Sequence, residues 1–242
     1  VALTAVQHTS APRHGRRFEP THETALHEDA LAACGTLPGV HRGIIAVKEM
    51  TGPIGIPDFT AMVGGKEALR ERSLLDVRPI LNEVDAAIVA ASSPRVARTV
   101  EVLAGLLGWP VATVARRISG LEDRGALLRA HNGRYFRPEP LQPTGRLYAI
   151  EAKVRDRVAG VYQARNYLSW ADSYVLVMGE LGSGPLESVK RSVLSDKGGL
   201  MVAGTWIVRP RLSKRNEGHR LWASEHFYAA IGGAQTNPSV LA

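Results

Sequence analysis

The sequence predicts an α/β (α+β) protein whose core sheet, flanked by helices, is built from both ends of the chain and interrupted by an inserted domain. Three observations predict this. β-like runs at 41–50, 55–63, 145–154 and 173–178 alternate with segments of helical period. Between the second and third run, residues 97–136 turn helical and then close on Asn132-Gly133, the dipeptide most typical of a type I′ hairpin. Gly64-Gly65 on one side and Pro138, Pro140 and Pro143 on the other punctuate that segment.

Composition narrows the class. With 242 residues, 45% of them hydrophobic and 22% charged, the chain is neither disordered nor collagen-like. Its longest apolar runs, such as 86–91, fall far short of the ~20 residues of a membrane helix, and the first residues lack the apolar core of a secretory signal. The single cysteine, Cys34, excludes an internal disulfide and a multi-cysteine zinc site, so a reducing, cytoplasmic location is expected. A net charge of +7 points to a polyanionic partner. Residues 94–137 hold eight arginines against Glu101, Glu122 and Asp123, and so carry +5 of that excess.

Taken in order, residues 1–20 read as a flexible basic arm without a fold. From Thr21 a helix is expected, capped there and stopped by Gly35. The runs 41–50 and 55–63, separated by a Gly-Pro turn, form an antiparallel pair and complete a first core part, 21–65. Residues 66–143 are a helical connection followed by the unit at 94–137. Val100, Leu103 and Leu107 make the apolar stripe of a first helix, Gly108 ends it, and Pro110 suits the first turn of a second. In that second helix Val114, Ile118 and Leu121 point to a core, while Thr113, Arg116, Arg117 and Gly120 face solvent. The hairpin carries Arg129 and Arg134, with Arg137 beside it. Residues 144–242 supply the second core part: a strand at 145–154, a helix, the buried strand SYVLVM, a helix around 186–194, β-like runs near 200–208, and a C-terminal helix near 221–231.

Residues 97–136 resemble the winged helix-turn-helix of bacterial regulators, in which T-V-(A/S)-R-R-(I/L)-x-x-L-E-x-x-G precedes the wing. The resemblance implies double-stranded DNA as partner, contacted by Thr113, Arg116, Arg117, Arg129, Arg134 and Arg137. Winged helices also dock proteins, so a packed hairpin with solvated arginines is the bland counterpart.

A second constellation carries chemistry. Asp58 follows Pro57 in a strand-like run, and Glu151-Ala152-Lys153 ends another; residues two apart on a strand share a face, so Glu151 and Lys153 project together. Hard divalent cations want carboxylate oxygens, and a lysine beside them can act on water and offset charge on phosphorus. This arrangement resembles the PD-(D/E)XK superfamily of restriction-endonuclease-like nucleases. Gln163 and Tyr167 match the Q-x-x-x-Y signature of its RecB-like members. The resemblance implies a Mg²⁺ (or Mn²⁺) endonuclease with Asp58 and Glu151 on the metal, Ala152 offering its carbonyl, Lys153 acting on the water, and Gln163 and Tyr167 orienting the reactants. The long separation between Asp58 and Glu151 departs from the family's short connection and requires the winged helix to be an insertion between them.

Other features are blander. Glu23 and Glu28 are candidate helix-one acids that read as solvated charges. His22 and His27 are five apart rather than four, which excludes a zinc-protease pair. Tyr148, Trp170, Trp206 and Trp222 are assigned to the core. Arg209, Arg211, Lys214, Arg215 and Arg220 are either a second phosphate contact or a solvated loop. The leading expectation is a winged-helix-targeted DNA endonuclease, with a homodimer as the arrangement for cutting two strands and with no membrane or nucleotide cofactor. The alternative is a transcription regulator whose nuclease-like domain is a silent scaffold. RNA fits less well, because its deep major groove excludes a recognition helix.

Overall fold

The computed structural model describes residues 3–7, 25–154, 156–213 and 216–232. They divide into two units, one made of 1–66 with 145–214 and the other of 67–144 with 215–242.

The first unit is a mixed sheet with helices on both faces. Its six principal strands are β2 (Ile44–Lys48), β3 (Phe59–Val63), β6 (Arg146–Lys153), β7 (Ser173–Met178), β8 (Gly199–Val202) and β9 (Thr205–Val208), adjacent in that order. β2, β3 and β6 run as an antiparallel meander, β6, β7 and β8 are parallel, and β9 returns antiparallel. A seventh strand, β1 (Leu3–Gln7), pairs in parallel with β2 at the edge. Part of the expected basic arm is therefore a strand; Thr21, His22, Glu23 and the remainder of the arm lie outside the described residues.

Strand alternation sorts the two faces. Ala46, Phe59, Ala61, Tyr148, Ile150, Val175 and Val177 pack with Ala30, Ala33 and Cys34 of α1 (His27–Gly35). Tyr174, Leu176, Met178 and Leu200 pack on the opposite face with Ala164 of α6 (Arg157–Asn166) and Val189 and Val193 of α7 (Ser183–Asp196). Parallel β6 and β7 require a crossover, and α6 supplies it.

The second unit holds α2 (Lys66–Ser73), α3 (Glu83–Ala91), α4 (Val100–Leu107), α5 (Val111–Asp123), the short hairpin β4 (Leu128–Arg129) and β5 (Tyr135–Phe136), and α8 (Glu217–Ala230). Gly108 closes α4 at φ 66°, in the left-handed region where glycine costs least. Pro110 stands one residue earlier than expected, as the N-cap of α5. Val114, Ile118 and Leu121 are buried with Leu103, Ala86, Ile88, Val89 and Leu221.

The C-terminal helix thus belongs to this helical unit and not to the sheet domain, a correction to the sequence reading. Arg72 of α2 explains why. Its Nε and Nη2 donate to Oε1 and Oε2 of Glu225, each at 2.8 Å, and both side chains are buried. Glu225 Oε2 also accepts from the Ile80 N–H at 2.9 Å, and the Arg72 guanidinium lies 4.6 Å from the Tyr228 ring centre. Both Glu225 oxygens and the Nε and Nη2 of Arg72 are satisfied, which is what makes so deep a charge pair tolerable, while the buried Nη1 has no hydrogen-bond partner. Gly218 allows α8 to approach α3 closely, since a Cβ there would lie 3.0 Å from the Ala87 Cα. Periodicity predicts the helix but carries no information about which neighbour it joins. A self-contained 94–137 unit is likewise at odds with a core shared with α3 and α8.

Candidate functional site

The antiparallel register of β3 and β6 pairs Phe59 with Ile150, which brings the next residues along, Asp58 and Glu151, side by side. Asp58 precedes the strand rather than lying in it. Its Oδ2 accepts a 2.7 Å hydrogen bond from the Ala152 N–H, across 94 positions of sequence. The polypeptide between them leaves and returns at one place, since a Cβ on Gly145 would stand 2.6 Å from the Gly64 carbonyl oxygen. Gly145 adopts φ 58° there.

Because Ile150 and Ala152 point into the α1 side of the core, Glu151 and Lys153 face the α6 side. Glu151 is 2% exposed. Lys153 Nζ donates to its Oε1 at 2.8 Å, and the Tyr167 hydroxyl donates to its Oε2 at 2.8 Å. Gln163 Nε2 in turn donates to the Tyr167 hydroxyl at 3.2 Å. Tyr167 sits in a 3₁₀ turn, Tyr167–Ser169, that continues α6. Glu151, Lys153, Gln163 and Tyr167 therefore form one connected cluster, with Asp58 beside it on the Ala152 backbone.

Residues that the motif did not flag hold this cluster in place. Gly160 of α6 lies over Lys153: a Cβ there would be 2.9 Å from the Lys153 Cγ, so only glycine lets the helix sit this close. Trp170, 1% exposed, donates from its indole nitrogen to the Ile54 carbonyl at 3.0 Å, and its ring meets that of Tyr167 edge-on at 5.8 Å. It thereby ties the β2–β3 loop, which ends at Asp58, to the tyrosine that contacts Glu151. Gly55 in that loop has φ 77°, and a Cβ on it would come within 3.0 Å of the Tyr167 ring. At the loop's start Glu49, with φ 50°, donates its N–H to the Asp58 carbonyl at 2.9 Å. Glycines before a Pro-Asp and a tryptophan after Q-x-x-x-Y were the available signals, but only the contacts give them meaning.

Burial and the neighbouring Asp58 carboxylate push the Glu151 carboxyl up to about 7, against the opposing pull of Lys153 and Tyr167. Burial and the Glu151 charge push the Tyr167 phenol well above its usual range, so it stays a neutral donor. Two hard-oxygen carboxylates held together at this electrostatic cost suit a divalent cation, which would offset their repulsion. Among the described residues no group of three or more Asp, Glu, His or Cys gathers. Two carboxylates are thus the acidic oxygen donors that the cluster offers to a cation.

In the second unit the expected DNA-contacting residues differ from one another. Arg116, Arg129 and Arg134 are exposed, and Thr113 and Arg117 are half-buried on α5. Arg117 Nη1 lies 3.6 Å from Asp85 Oδ1. Arg137 donates to the carbonyls of Ser92 at 3.0 Å and Glu139 at 3.1 Å, so it fastens the end of the hairpin to the end of α3. In the basic stretch near the C-terminus, Arg209 bonds the Thr36 carbonyl and covers Trp206, while Arg220 pairs with Glu217. Lys214 and Arg215 lie outside the described residues. Glu28 is exposed in the first turn of α1. No helix among the described residues is long and apolar enough to cross a membrane.

Compared with known protein families, curated proteins and solved structures, the chain matches none.

Proposed function

We infer that this chain is a DNA-binding, metal-dependent endodeoxyribonuclease of the PD-(D/E)XK kind, brought to double-stranded DNA by an inserted winged helix. One observation carries the reading: Glu151, Lys153, Gln163 and Tyr167 are joined by hydrogen bonds and an ion pair, and Asp58, just before the adjacent strand, accepts from the backbone N–H of the intervening Ala152. A scaffold gains nothing from a buried carboxylate beside a second one.

A bound divalent cation would polarise the scissile phosphate and lower the pKa of a water. Asp58 and Glu151 would hold it. Lys153, positioned by Glu151, places a positive charge where negative charge develops on phosphorus and orients the attacking water. Tyr167 fixes the Glu151 carboxylate, and Gln163 fixes Tyr167. α5 is the recognition helix and the β4–β5 hairpin the wing, with Arg116 and Arg134 as free-reaching cations, Arg129 over the Tyr135 ring and Arg117 drawn towards Asp85.

A second reading, a winged-helix regulator with a silent nuclease-like domain, draws support from the engagement of both Glu151 oxygens by protein donors. Incubation of the full chain with supercoiled, linear, nicked, branched and single-stranded DNA in Mg²⁺ or Mn²⁺, against EDTA, separates the two. Metal-dependent cleavage is expected; DNA binding without cleavage of any substrate would establish the regulator.

A further inference from the structure

Residues 116, 117, 120 and 123 follow one another at helical spacing on α5, and Arg124 is its C-cap. This part of α5 faces Asp85, in the first turn of α3, whose carboxylate is 7% exposed. Asp85 Oδ2 accepts from Arg124 Nη2 at 2.8 Å, and Oδ1 lies 3.6 Å from Arg117 Nη1. Arg124 Nε also donates to the Gly120 carbonyl at 2.9 Å. The buried carboxylate therefore fixes the Arg124 guanidinium by a hydrogen bond and attracts that of Arg117 without one, since Oδ1 has no hydrogen-bond partner.

Beside them opens a cavity of about 670 Å³ lined by Asp85, Arg116, Arg117, Gly120, Asp123 and Arg124. Three guanidiniums meet two carboxylates there, and one oxygen of Asp85 is already bonded to Arg124. Gly120 adds an independent observation. Glycine inside a helix costs about 1 kcal/mol relative to alanine, yet a Cβ at 120 would meet nothing within 4 Å. Packing does not require this glycine, which lines the cavity and gives its carbonyl to Arg124.

We propose that this cavity is a phosphate-binding site, in which Arg116, Arg117 and Arg124 receive one phosphate oxyanion and Asp85 is the positioning residue that pre-orients Arg124. Forked guanidiniums match the oxygens of a phosphate group in a way that ammonium groups do not. Pre-orientation by a buried partner removes most of the ordering cost of binding. The phosphate is either a backbone phosphodiester of duplex DNA or a free or small-molecule phosphate. Only the first case rests on the DNA-binding reading above.

Two titrations of the full chain test it. In the first, inorganic phosphate is titrated at constant ionic strength against chloride and followed by calorimetry. Saturable binding is expected, weakened about tenfold in Arg124→Gln. Arg124→Lys, which keeps the charge but loses the fork, is expected to be nearly as weak. Asp85→Asn separates positioning from charge: removing a negative charge from a basic cavity should strengthen anion binding if only charge matters, whereas loss of pre-orientation weakens it. Weakening is the expected result, and strengthening would overturn the role of Asp85. In the second titration, duplex affinity is measured against salt. A slope reduced by about 1 in Arg124→Gln identifies a DNA phosphate as the ligand, and an unchanged slope together with saturable phosphate identifies a free one. Absence of both effects overturns the site while leaving any observed duplex binding, and with it the DNA reading, intact.

Discussion

At Glu151 both carboxylate oxygens are engaged before any ligand arrives, one by Lys153 and one by Tyr167, and the group is all but removed from water. At Arg116, on the exposed side of α5, no hydrogen bond or ion pair to a described residue is present. The first arrangement pays electrostatically for fixed geometry, which is what a reaction centre needs. The second keeps its charge solvated and adaptable, as suits contacts with a phosphate backbone. Between the extremes stand Arg124, bonded to Asp85, Arg117, drawn towards it, and Arg137, absorbed into carbonyl contacts. The lesson is that the eight arginines of 94–137 are not one equivalent basic patch.

Substitutions sharpen this contrast, beginning with the largest effect. Asp58→Ala or Glu151→Ala should reduce metal-dependent cleavage at least about 100-fold, while duplex affinity in a gel-shift titration stays within about threefold. Equal losses of binding and cleavage would merge the two functions that the comparison separates. Replacing Arg116 and Arg117 together by alanine should do the reverse, weakening duplex binding about 10- to 100-fold and lowering its salt slope. Cleavage at saturating DNA should be retained.

The buried carboxylate also predicts a pH dependence. In the metal-free protein the folded state keeps a proton on Glu151 up to about pH 7, whereas the unfolded chain releases it near the ordinary value of 4.5. Stability is therefore highest below that ordinary value and falls as pH rises to about 7, by roughly 2–4 kcal/mol in all. Denaturation in EDTA at pH 5 and pH 8 should show the fall, Glu151→Gln should remove most of it, and Mg²⁺ should stabilise the wild-type protein more at pH 8 than at pH 5. A Glu151→Gln profile identical to wild type would mean that the carboxylate is not held at this cost.

A smaller effect is expected at Trp170. Trp170→Phe keeps an aromatic ring but loses the bond to the Ile54 carbonyl, which should lower the cleavage rate about 3- to 10-fold with little change in duplex affinity, for about 1 kcal/mol of lost positioning. The smallest effect on DNA belongs to Arg137. Arg137→Ala should destabilise the second unit by about 1–2 kcal/mol through its lost carbonyl contacts, yet leave the salt slope unchanged. A slope reduced by a full unit would return Arg137 to the DNA-contacting set.

Much of this arrangement is legible in the sequence wherever the signal is local. Strand runs, the Gly108 stop, the core triplet Val114, Ile118 and Leu121, and the alternation that pairs Glu151 with Lys153 are set by neighbours within a few residues. What is not legible is set by distant partners. Nothing near Glu225 indicates that Arg72 will meet it, so the C-terminal helix could not be assigned to its unit. Nothing in the arginine-rich stretch distinguishes Arg137, which donates to carbonyls, from Arg134, which faces solvent. Asp85 reads as an ordinary first-turn acid of a helix, and its bond to Arg124 and pull on Arg117 exist only in three dimensions.

The most direct measurement takes cleavage rate and duplex affinity from the same preparations of wild-type and Asp58→Ala protein, in Mg²⁺ and in EDTA. The expected result is cleavage by the wild type in Mg²⁺ alone, loss of that cleavage in Asp58→Ala, and duplex affinity nearly equal in both. Cleavage that survives Asp58→Ala, or a wild type that binds DNA tightly and never cuts it, would contradict the assignment of this cluster to phosphodiester hydrolysis.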